Sequence, residues 1–131
     1  MKKRYFIYLI ILSVFSIITG CKTTVDNSFL INNLAAANVI VNFRAQAITV
    51  TSGGSAVINE IPQGTYNYTT IYAIPAGAKS SSTSGDLSGQ VVINAGTRIL
   101  LIYTSVFDTS GTYKISATIT SSDNQATTTS P

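Results

Sequence analysis

Short runs in which apolar and polar residues alternate, each ended by glycine, proline or asparagine, constrain this chain more than any other feature. Asn38-Val-Ile-Val-Asn-Phe-Arg44 places Val39, Val41 and Phe43 on one side and Asn38, Asn42 and Arg44 on the other. Side chains of an extended strand point alternately to opposite faces, so this spacing fits a sheet with one dry face and not a helix. Residues 46–51 repeat the pattern with Ile48 and Val50, and Gly53-Gly54 interrupts it. Residues 55–61 end at Pro62, where Ile-Pro-Gln-Gly-Thr-Tyr has proline and glycine at the second and fourth positions of a type I turn. Residues 65–74 put Tyr66, Tyr68, Tyr72 and Ile74 on one face. Residues 87–94 and 98–103, joined by the turn Asn94-Ala-Gly-Thr97, read as a hairpin, and 112–120 closes the domain with Tyr113, Ile115, Ala117 and Ile119 facing inward. Phe29–Asn33 suits a short strand, although Leu30 and Leu34 also suit a helical turn. About seven or eight short strands with regular turn signals predict an all-β, antiparallel, immunoglobulin-like Greek-key sandwich.

Residues 75–86, Pro-Ala-Gly-Ala-Lys-Ser-Ser-Ser-Thr-Ser-Gly-Asp, read as a long loop, since no apolar period runs through them. The expected layout is a signal over 1–20, a tether over 21–28, a sandwich over 29–120 and a polar tail over 121–131. That tail is too poor in apolar residues to pack.

The amino terminus obeys different rules. Lys2, Lys3 and Arg4 precede an uncharged, mostly apolar stretch from Tyr5 to Ile18, followed by the small residues Thr19 and Gly20. A positive start, an apolar centre and small residues at the end describe a secretory signal helix that is cleaved off. The competing reading is an uncleaved membrane helix, for which Tyr5–Cys21 stands at the short limit of about 17 residues.

Ile18-Thr19-Gly20-Cys21 resembles the lipobox of bacterial lipoprotein precursors. The resemblance implies that Cys21, the only cysteine of the chain, is lipidated on sulfur and becomes the first mature residue after cleavage between Gly20 and Cys21. Two or three acyl chains on one residue hold far more firmly than one, because each buried methylene adds about 0.8 kcal/mol. No intrachain disulfide can form with one cysteine. A nucleophilic role would need an activating base, and the sequence contains no histidine. The resemblance also implies a bacterial cell-envelope location. Lys22 is not the aspartate that retains many enterobacterial lipoproteins in the inner membrane, so the outer membrane is favoured where the host has one.

The net charge of +3 disappears with the signal. Lys22, Arg44, Lys79, Arg98 and Lys114 then balance Asp26, Glu60, Asp86, Asp108 and Asp123, leaving no basic stripe for nucleic acid. Without histidine there is no Ser-His-Asp arrangement, and zinc lacks its usual nitrogen ligands. Asp108-Thr-Ser-Gly111 lies in a strand connection and has the wrong order for the Asp-Thr-Gly of aspartic proteases. The expectation is no catalysis, no catalytic residue, no metal and no cofactor.

The order of 29–33, 38–43 and Ile61–Tyr66 is similar to small bacterial immunoglobulin-like or transthyretin-like modules, in which a Pro-x-Gly-Thr-Tyr turn opens a strand. Many of these modules have no assigned activity. The expected function is a structural or protein-interaction domain that meets another envelope protein. The alternative is a glycan- or other ligand-binding module, using an aromatic face of Tyr66, Tyr68 and Tyr72 or the 75–90 loop. Ile99-Leu-Leu-Ile-Tyr103 is apolar on both faces, so Leu100 and Ile102 either lie beneath the 29–34 segment or form a partner face.

Overall fold

The structure, a computed structural model, describes residues 26–124. It is a β-sandwich of nine strands: β1 Ser28–Asn33, β2 Val39–Phe43, β3 Gln46–Val50, β4 Ser55–Asn59, β5 Gly64–Tyr72, β6 Ser80–Gly85, β7 Ser88–Ile93, β8 Arg98–Phe107 and β9 Thr112–Ser121. One sheet has the order β4-β1-β8-β9-β6 and the other β3-β2-β5-β7. The two layers are consistent with an immunoglobulin-like fold. Two contacts depart from the antiparallel expectation: β1 pairs parallel to β8, and β6 parallel to β9. β7 and β8, expected as one hairpin, instead belong to different sheets, so the turn between them crosses from one layer to the other.

Alternation does the packing. The inward residues of β1, Phe29 and Ile31, meet Val39, Val41 and Phe43 of β2, and all five are buried. Phe29 and Phe43 lock the layers edge to face, with ring centroids 4.8 Å apart. Leu101, Tyr103, Tyr113, Ile115 and Ala117 complete the centre from β8 and β9. The Tyr103 hydroxyl crosses between the sheets to Thr70, and burial pushes its pKa up to about 12.

Tyr113 is the exception among buried polar groups. Its ring is fully enclosed, and its hydroxyl has no hydrogen-bond partner among the described residues. An unsatisfied buried hydroxyl costs about 1–3 kcal/mol. Tyr113→Phe should therefore raise stability by about 1 kcal/mol, seen as a melting temperature about 4–8 °C higher. A lower melting temperature would show that the hydroxyl is bonded after all.

The β2–β3 hairpin turns through only Arg44 and Ala45, at φ 51° and 59°. Two-residue turns of this hand favour Asn-Gly, because a side chain in the left-handed region crowds its own backbone. Ala45→Gly is expected to gain about 0.5 kcal/mol in a denaturant melt, the relief of that crowding exceeding glycine's extra chain entropy. A loss of stability would show that the turn carries no such strain.

Three boundaries differ from the sequence expectation. Residues 75–86 are not one loop, because Ser80–Gly85 form β6, while the strand expected over 87–94 is β7. Every residue of β6 is exposed, so no apolar period marks it. Polar side chains reinforce its ladder instead, Ser80 Oγ to Thr112 Oγ1 at 2.9 Å and Ser84 Oγ to Ser116 Oγ at 2.6 Å. Gly85 ends it at φ +74°, where a Cβ would stand 2.1 Å from the Ala117 carbonyl oxygen. At the start, Asn27 is buried and belongs to the domain rather than to a tether ending at residue 28. At the far boundary β9 runs to Ser121, and Ser122–Asn124 form a 3-10 turn where a polar tail is expected from residue 121.

Candidate functional site

Tyr66, Tyr68 and Tyr72 share the inward face of β5, as their spacing predicts, but that face is not open. Tyr68 is 2% exposed, and its ring stands 6.2 Å from Phe29. Its hydroxyl donates to the Asp86 carbonyl at 2.8 Å. Burial and the nearby Asp86 charge raise its pKa. Gly89 makes this path possible, since a Cβ there would come within 3.3 Å of the ring.

The other two tyrosines are half-buried at the margins. Tyr66 donates to the Pro62 carbonyl at 2.8 Å and lies beneath the Arg44 guanidinium, 5.7 Å from the ring centroid. Tyr72 tilts toward Tyr113, with centroids 6.3 Å apart. Ile74, expected on the same face, lies beyond the end of β5 and is exposed. A stacking platform for sugar rings needs aligned, accessible faces, and these rings spend theirs on the core and on Arg44. Within the 75–90 segment, residues 80–85 form β6 and 88–90 open β7.

Leu100 and Ile102 lie on the outer face of the five-stranded sheet, half-buried. The 29–34 segment does not cover them. It is β1, beside β8 in the same sheet, with Leu30 in register with Leu100 and Asn32 with Ile102. Val57 of β4 extends the row beyond Leu30, while Thr120 and Thr118 of β9 flank Leu100 and Ile102 on the other side. The apolar strip is thus narrow and bordered by hydroxyls.

Sequence reasoning gave no notice of a cleft of about 270 Å³ between the edge of β7 and the end of β9. It opens where β6 stops pairing, since β6 reaches only as far as Ala117. Val91, Ile99 and Ile119 form its floor, with Asn94, Thr120 and Asp123 at the rim. The Asp123 carboxylate accepts from Asn94 Nδ2 at 2.8 Å and Thr97 Oγ1 at 2.7 Å. These bonds stabilise its charged form and lower its pKa. Its role is to hold the β7–β8 connection.

Three of the other four carboxylates, those of Asp26, Asp86 and Asp108, are similarly engaged, and Glu60 is exposed. Asp108 Oδ1 accepts from the Ser110 and Thr112 amides, both at 2.9 Å, and Oδ2 lies 3.2 Å from Lys114 Nζ. The Ser110 hydroxyl and these amides hold its pKa well below the usual carboxylate range. The Asp108–Gly111 segment is therefore a side-chain-stabilised turn between β8 and β9. Asp86 Oδ2 accepts from the Ile119 amide, and Asp26 pairs with Arg98. No group of three potential metal ligands occurs among the described residues.

Gly20, Cys21 and the apolar run before them lie outside the described residues. No protein-family model matches the chain, and no curated protein matches it.

Proposed function

We propose that this protein is a membrane-anchored lipoprotein of the bacterial cell envelope, whose β-sandwich serves a structural or protein-interaction role without catalysis. The carrying observation is Ile18-Thr19-Gly20-Cys21 at the end of a charged-then-apolar amino terminus. The folded part supports a non-catalytic reading in two ways. Four of its five carboxylates, at positions 26, 86, 108 and 123, are engaged in turns, ladders and an ion pair. Tyr68 is buried in the core, and Tyr66 and Tyr72 are half-buried against Arg44 and Tyr113, an arrangement that favours packing over a sugar-stacking face.

Cys21→Ser tests the anchor. The hydroxyl is a poor substitute for the thiolate in lipid transfer, and cleavage before residue 21 depends on that lipid. Wild-type protein should take up a labelled fatty acid and begin at Cys21 by mass. The variant should do neither, yet keep a folded sandwich, because Cys21 precedes Asn27, the first buried residue among those described. Unlabelled wild-type protein that still begins at Met1 would instead make Tyr5–Cys21 a membrane helix.

A further inference from the structure

Where the chain enters the sandwich decides which end faces the lipid. Asn27 is buried, and its side chain ties three points of that end together. Nδ2 donates to the Ile61 carbonyl at 2.8 Å, while Oδ1 accepts from the Gly96 amide at 2.7 Å and the Thr97 amide at 3.1 Å. Backbone bonds from Ser28 to Thr97 and from Ile61 to Asn27 close the same junction, and Asp26 pairs with Arg98 just outside it. The entry point is therefore rigid. Only Lys22–Val25 separate Cys21 from Asp26, and fully extended they let the two Cα atoms lie at most about 18 Å apart.

The fold is taller than that reach. β8 runs from Arg98 at the entry end to Phe107 at the other, a strand about 33 Å long at 3.3 Å per residue. The entry end gathers the β2–β3, β4–β5 and β7–β8 connections, with Arg44, Glu60, Gln63, Asn94 and Asp123 on its surface. The opposite end carries Leu34, Ile74, Val106 and Phe107, which are 48–61% exposed. The short link keeps the far end from turning onto the bilayer. Lying on the outer face of the larger sheet would press Thr118 and Thr120 against lipid beside the half-buried Leu100 and Ile102.

We infer that the acylated protein stands on its entry end, with the β4–β5 and β7–β8 loops toward the phospholipid headgroups and the Leu34–Ile74–Phe107 end held away from the bilayer. This rests on the lipoprotein reading of Cys21. Acylation blocks the Cys21 sulfur, so one added cysteine can carry a thiol-reactive fluorophore at Ala95 (entry end), Thr118 (mid-height) or Thr109 (far end), all exposed. The lipidated variants are placed in phosphatidylcholine–phosphatidylglycerol vesicles containing an acceptor dye on the headgroup. Energy transfer should fall in the order Ala95, Thr118, Thr109, with severalfold more from Ala95 than from Thr109. Equal transfer from the two ends, or most from Thr118, in protein that is lipidated and vesicle-bound, overturns the orientation alone. Protein that carries no lipid and does not join the vesicles overturns the anchor and the orientation together.

Discussion

Tyr68→Ala is expected to cost about 3–5 kcal/mol, the range found when a buried aromatic is cut back to a methyl group. Domains of this size are stable by only about 5–15 kcal/mol, so the variant should be near the edge of folding. The ring sits between the sheets against Phe29, and no neighbouring side chain is free to fill the space it leaves. The Asp86 carbonyl would also lose its hydroxyl donor. Tyr66→Ala makes the contrast. That ring is half-buried and meets solvent at the Arg44 hairpin, so its loss should cost about 1–2 kcal/mol. Urea unfolding monitored by circular dichroism would separate them, with a large fall in midpoint for Tyr68 and a small one for Tyr66. Equal falls would mean that both rings face the same environment.

Asn33→Ala should be comparably damaging, for a different reason. Asn33 is fully buried at the end of β1. Its Oδ1 accepts from the Ala35 amide at 3.0 Å, and its Nδ2 donates to the Ala37 and Val50 carbonyls, both at 2.9 Å. One amide thus closes the β1–β2 loop and reaches across to β3 in the other sheet. Its removal strands a buried N–H and leaves two carbonyls short of a donor, each worth about 1–3 kcal/mol. A total loss of about 3 kcal/mol or more follows. Asn33→Leu discriminates hydrogen bonding from volume. If the bonds matter, Leu should be no better than Ala; if a cavity is the main cost, Leu should recover much of the loss.

Both residues show how far one-dimensional pattern reaches. Tyr68 was legible as an inward residue because alternation assigns a face. Asn33 was not, because a polar residue at a strand end reads as a turn former until its distant partners are in place. β6 escaped for the complementary reason. Its six residues hold no apolar side chain, and it becomes a strand only because β9 offers an unpaired edge. The charge-free outer row at Leu100 and Ile102 was visible, but not its neighbour: β1 lies alongside β8 as a parallel strand rather than over it as a lid.

Determined by sequence alone are the alternation that makes this a two-faced β protein, the turns that divide it, and an amino terminus whose lone cysteine resembles a lipid attachment site. These are local properties, carried by spacing and side-chain chemistry within a few residues. The tertiary structure alone decided that Tyr103 reaches Thr70 across the sandwich, that buried asparagines bolt both ends, and that the chain enters at the end opposite Leu34 and Phe107. The bonds of Tyr103 and Asn27 join residues 33 to 70 positions apart, and Asn33 reaches Val50 17 positions on. Period-two spacing says that a face is buried, but only the pairing of strands says against what.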